Sequence, residues 1–205
     1  MRIKDDSFKV EAKQLIKVML QDFVNKPSDT QERPCPGCRY GGPNNDSFKT
    51  TKFCSYRCPI APKQMSSDPD RYPIEGAIVP LVYAFYTLKS LMPCWSCGGH
   101  INNLGQVIKA PKVWFYSSAD FYPKLIAQYV NQLHGEHTIM NNWSVRILPY
   151  SQSMFTLTYS LEPLDQNLEN MNLDSLHQDI ITIAQTLRHG THNLAHHYIQ
   201  RATKK

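Results

Sequence analysis

No uninterrupted apolar run in the 205 residues is long enough to cross a bilayer. The longest candidate, Ile74 to Leu91, is broken by Glu75, Pro80, Thr87, Lys89 and Ser90, whereas a spanning helix needs about 20 predominantly apolar residues. The start, Met1-Arg2-Ile3-Lys4-Asp5-Asp6, is charged and does not lead into an apolar segment, so no secretory leader is expected. Also absent are a P-loop, a G-x-G-x-x-G turn, an H-E-x-x-H pair and a G-x-S-x-G elbow. The common phosphate-cradling, dinucleotide, zincin and hydrolase signatures therefore have no anchor here. No cysteine stands alone, because all six fall in close pairs: Cys35/Cys38, Cys54/Cys58 and Cys94/Cys97. In the reducing cytoplasm, the expected location, paired thiols read as metal ligands before disulfides.

What is present describes a folded protein. Apolar residues make up 41% of the chain, too many for general disorder. The net charge of +5 is unevenly spread. Between Gln31 and Lys63 stand Arg33, Arg39, Lys49, Lys52, Arg57 and Lys63 against Glu32 and Asp46, and the stretch from Leu161 to Asp179 is acidic. Local basicity of this kind marks a nucleic-acid footprint. It equally serves to offset the negative charge of a tetrathiolate metal site.

Residues 1–30 hold an amphipathic helix, with Val10, Leu15, Ile16, Met19, Leu20, Phe23 and Val24 at helical spacing, ending before Lys26-Pro27. Residues 31–65 are rich in proline and glycine and lack periodicity. So long a structureless stretch needs something else to order it, and a metal would do so. Residues 66–205 form the main domain. Ile74, Ala77, Ile78, Leu81, Val82, Phe85, Leu88 and Leu91 predict a helix from Pro73 to Leu91, kinked or broken in its first turn at Pro80. Lys112–Tyr116 reads as a strand, and Asp120 caps a helix faced by Leu125, Ile126, Tyr129, Val130 and Leu133. Trp143–Leu148 and Phe155–Leu161 alternate like half-buried strands joined by a hairpin at Tyr150–Ser153. A last helix starts near Leu173, with Gly190 expected to bend or end it. The order predicts an α+β fold: a small mixed or antiparallel sheet with helices packed on one face, plus a zinc-clamped cysteine-rich knuckle.

The metal chemistry has two candidate sites. Cys35-Pro-Gly-Cys38 and Cys54-Ser-Tyr-Arg-Cys58 lie fifteen residues apart. That spacing suits a closed, structural Zn2+ site of four thiolates, and an iron–sulfur cluster is the alternative occupant. The stretch Cys94-Trp95-Ser96-Cys97-Gly98-Gly99-His100 offers a second site of three ligands, Cys94, Cys97 and His100, with an open fourth position. Other readings are a thiol pair lent to an upstream site, a redox pair, and a tight turn with buried thiols. The redox reading is disfavoured because Gly98-Gly99 follows, and not a helix whose N-terminus would depress a thiol pKa. Glu75, Asp120 and Glu162 are the acidic residues nearest these elements and read as caps or edge charges. His189, His192 and His196 lie within about 60° on the last helix, either a metal-binding or partner-facing stripe or a solvated face.

An amphipathic helix, then Ser96-Cys97-Gly98-Gly99-His100, then Lys112-Val113-Trp114-Phe115 resembles the S-C-x-G-[H/R] core of a small α/β family that includes the wybutosine-synthesising tRNA methyltransferases. The likeness spans about thirty residues of the order given by these motifs and leaves the cysteine-rich segment uncovered. In those methyltransferases the turn ends in Arg where this chain has His100, so cofactor use and methyl transfer do not carry over. The resemblance implies that Ser96, Gly98 and Gly99 border a pocket in which a ligand approaches the backbone.

Three functions follow from these features. The first is a zinc-binding protein that binds nucleic acid or modifies RNA, with Arg39, Lys49, Lys52 and Arg57 meeting phosphates beside Tyr40, Phe48, Phe53 and Tyr56. The second is a metal-dependent enzyme acting on a small substrate at Cys94, Cys97 and His100. The third is a structural module that docks a protein partner through the last helix. No membrane partner is expected.

Overall fold

A computed structural model describes residues 6–25, 75–88, 90–148, 157–165 and 167–203. The expected zinc knuckle with Cys35, Cys38, Cys54 and Cys58, the basic residues Arg39, Lys49, Lys52 and Arg57, and the turn at Tyr150–Ser153 all lie outside the described residues.

Helix α1 spans Asp6–Asn25. A 3-10 turn at Gly76–Ile78 runs into α2, Val79–Thr87. Four strands form one sheet: β1 (Leu91–Cys97), β4 (Lys112–Ser117), β5 (Trp143–Leu148) and β6 (Thr158–Pro163). Between β1 and β4 the chain makes a small ribbon of β2 (His100–Ile101) and β3 (Val107–Lys109). Helix α3 spans Phe121–Gly135, and α4 spans Leu173–Thr203.

The sheet order is β1-β4-β6-β5, and every neighbouring pair is antiparallel. Alternation explains which face is buried. Val113, Leu161 and Val145 stand in register across three strands, as do Phe115 and Tyr159 one step along. Val113, Phe115, Tyr159 and Leu161 join one core with residues of all four helices, while the alternate side chains Lys112, Trp114 and Tyr116 stay half-buried on the other face. The α+β class with an antiparallel sheet is thus as expected. Helix α4 is the keystone, packing against α1, α2 and α3.

Two local expectations are corrected. The apolar periodicity from Pro73 to Leu91 covers two kinds of structure. Helix α2 ends at Thr87, whose hydroxyl donates to the Ala84 carbonyl at 2.7 Å, and Leu91 opens strand β1. Pro80 occupies the first turn of α2, where its missing N–H costs no bond. Pro93 is tolerated because β1 is an edge strand, and the register shifts between Pro93 and Trp95. Finally, Gly190 does not break α4, which runs through it for 31 residues. A Cβ there would lie 2.0 Å from Tyr129 Cε2, so the glycine lets α3 and α4 approach each other.

Candidate metal centre

Strand β1 delivers Cys97 as its last residue, and β2 opens with His100. Only Gly98 and Gly99 separate them. Gly99 adopts φ +89°, which a side-chain-bearing residue rarely takes, so the reversal requires glycine. Two distant side chains clamp this turn. The Gly98 N–H donates to Glu75 Oε2. The Gly98 carbonyl accepts from His177 Nε2 of α4 at 2.7 Å, and because a carbonyl only accepts, that ring nitrogen carries the proton.

Glu75 also reaches His100: its Oε1 lies 3.3 Å from His100 Nε2. Cys97, His100 and Glu75 each offer a ligand atom, and these atoms lie within 4.8 Å of one another. For comparison, two ligands at about 2.0–2.1 Å from a tetrahedral zinc stand roughly 3.3 Å apart. The His100–Glu75 separation already has that value, and the Cys97 sulfur lies within 4.8 Å of both. A carboxylate oxygen, a thiol and an imidazole are donor types that zinc accepts.

The environment is graded. Cys97 is only 2% exposed, whereas the His100 and Glu75 side chains are 46% and 38% exposed. Burial pushes the Cys97 thiol above its usual pKa, and Glu75 adds to this; the Gly99 backbone N–H and Lys109 pull the other way. A metal would displace the proton, since a coordinating thiol is deprotonated outright.

Cys94 is not part of the group. A C-x2-C pair chelates when its backbone turns, but here both cysteines sit on an extended strand, which separates their Cα atoms by roughly 10 Å. Cys94 hydrogen-bonds with Tyr116 instead, and burial raises its pKa. The fold therefore brings together Cys97 and His100 from the expected triplet and sets Glu75 in the third place. Among the described residues, side chains back both glycines. A Cβ on Gly98 would meet Glu75 at 3.0 Å, and one on Gly99 would meet Leu173 at 2.6 Å. Ser96 lies half-buried in β1, opposite Val113.

The other candidates have structural occupations. Tyr159 donates its hydroxyl to Asp120 at 2.9 Å, and Glu162 pairs with Arg146 and Lys112. The histidine stripe is divided. His192 packs edgewise on Phe23 of α1, with ring centroids 5.0 Å apart, while His189 bonds Asn193 and His196 is exposed. Burial, then Arg188 and the neighbouring histidines, push His192 down to about 4.

Glu75 and His177 were not legible as site residues. They stand 23 and 79 positions from Gly98, and no local pattern joins them to it. Comparison with protein-family models, curated proteins and solved structures finds no match to this chain. No described helix is long and apolar enough to cross a membrane.

Proposed function

We propose that this chain binds Zn2+ through Glu75, Cys97 and His100 and uses the open fourth position to act on a small substrate. The observation that carries the reading is the convergence of three unlike donors, O, S and N, within 4.8 Å of one another. One carboxylate, one thiolate and one imidazole suit a borderline ion such as zinc, and a single thiolate cannot hold an iron–sulfur cluster there. Three protein ligands are the count found in catalytic zinc sites.

The exposure gradient supports an open position on one side. Cys97 closes the inner side, and His100 and Glu75 leave the outer side accessible. When bound, zinc would polarise a substrate oxygen or lower the pKa of a water to about 7. The chain's own part is positioning. Glu75 and His177 hold the Gly98 peptide from both ends, which sets the spacing between Cys97 and His100. Lys109 places its ammonium by the Cys97 sulfur, where it would offset the charge of a thiolate–carboxylate ligand pair.

The test is zinc content per chain, measured by mass spectrometry on the full-length protein and on Glu75→Gln, Cys97→Ser and His100→Ala. Each variant should lose one equivalent, and ligands elsewhere should keep theirs. The His100 side chain is nearly half exposed, so His100→Ala leaves the core intact. Unchanged zinc in all three variants rules the reading out.

A further inference from the structure

Beside the ribbon of β2 and β3 lies an open cleft of about 270 Å³, walled by β3, β4 and the ends of β5 and β6. Its charged lining is Lys109, Lys112, Arg146, Glu162 and Asp165. We propose that this cleft, which shares Lys109 with the candidate metal centre, binds a small phosphorylated or carboxylated molecule.

The argument is one of donors and acceptors. Both carboxylates already accept hydrogen bonds from within the chain. Glu162 Oε2 accepts from the Ser160 hydroxyl at 2.8 Å, and its Oε1 lies 3.3 Å from Arg146 Nε. Asp165 Oδ1 accepts the Asn167 backbone N–H at 2.8 Å. The cations are not spent to the same degree. Lys112 stands 3.9 Å from Glu162, a loose pair. Lys109 lies 5.0 Å over the Trp95 ring and beside the Cys97 thiol, with no carboxylate pairing among the described residues. Arg146 has one bond to the Leu164 carbonyl besides its contact with Glu162. Lys109, Lys112 and Arg146 thus bring three positive charges to a lining that holds two carboxylates, an excess of one. A ligand that satisfies them must bring acceptor oxygens and negative charge.

Size and surroundings narrow the class. The space is below that of a drug-sized site, roughly 300–1,000 Å³, so it suits a phosphate or carboxylate with a few carbons. Ile108, Pro163 and Leu168 supply an apolar wall for that body. Glu162 acts as the gatekeeper, because it competes with the anion for Arg146 and Lys112.

The test is calorimetric titration of the full-length protein with inorganic phosphate and, separately, with succinate, at constant ionic strength. One of the two should bind saturably, and the tighter one identifies the headgroup. Lys109→Gln and Arg146→Gln should each weaken it about tenfold or more, whereas Glu162→Gln should tighten it several-fold. Binding should persist in His100→Ala, which separates the cleft from an ion held at the metal centre. The proposal is overturned if neither anion saturates. It is equally overturned if Lys109→Gln and Arg146→Gln leave affinity unchanged, or if His100→Ala alone abolishes binding. Should a lysine or arginine variant fail to fold, the direction of the Glu162→Gln effect decides.

Discussion

Replacing Gly190 by alanine sets two effects of opposite sign against each other. Within an exposed helix interior, Gly→Ala stabilises by about 1 kcal/mol, because glycine loses more backbone entropy. In this fold the added methyl would stand 2.0, 2.2 and 2.6 Å from Cε2, Cζ and Cδ2 of Tyr129. Real carbon contacts begin near 3.5 Å, so the ring or one of the helices must shift by more than 1 Å. Tyr129 is 6% exposed and belongs to the main core. Neither movement is small, and overpacking a filled core costs about 1–3 kcal/mol or more. The steric cost wins, and Gly190→Ala should destabilise by up to about 2 kcal/mol net. Urea unfolding of wild type, Gly190→Ala, Tyr129→Ala and the double variant completes a cycle. In the Tyr129→Ala background the same glycine change should become neutral or stabilising, since its obstacle is gone. A Gly190→Ala protein that unfolds at higher urea than wild type would refute the packing argument.

Asp179 should tolerate no loss of its carboxylate. It is 1% exposed and accepts from the Met140 and Asn141 backbone N–H groups, Asn141 Nδ2 and Trp143 Nε1. Asp179→Ala strands those donors and should cost about 3–5 kcal/mol in urea unfolding; a loss under 1 kcal/mol contradicts the network. His192 predicts a pH effect. Its folded pKa lies near 4, below the ordinary 6.5, so the unfolded chain takes up the proton first. Stability is then full above about pH 6.5 and falls as pH drops toward 4. A shift of this size is worth about 3 kcal/mol if fully realised, and solvent screening of the half-buried ring leaves roughly 1–2 kcal/mol. His192→Phe keeps an aromatic against Phe23 and should flatten melting temperature between pH 6.5 and 4.5. Equal slopes in the two proteins would show that the imidazole is not responsible.

Periodicity by itself determined much of the architecture. Helices α3 and α4 and strand β4 each carry one repeat that a single buried face imposes, whereas β6 is buried on both faces and α1 leaves Leu15 and Ile16 of its apolar stripe exposed. The alternation in β4 and β6 even selects the core residues Val113, Phe115, Tyr159 and Leu161. Where two elements abut, that signal fails. Leu88 and Leu91 continue one helical spacing across the end of α2, since both face the same core from different backbones. Gly190 fails differently: composition marks it as a weak point, while its meaning depends on the Tyr129 ring from another helix.

The candidate centre shows the same division. Cys97 and His100 could be singled out because two glycines join them in sequence. Glu75, His177 and Lys109 came only with the fold, as the α2 entry, the α4 stripe and the β3 register converge on one turn. Local sequence encodes how a segment buries its own apolar face. Which distant polar groups meet at that segment is set by how the elements pack, and tertiary structure alone decides it.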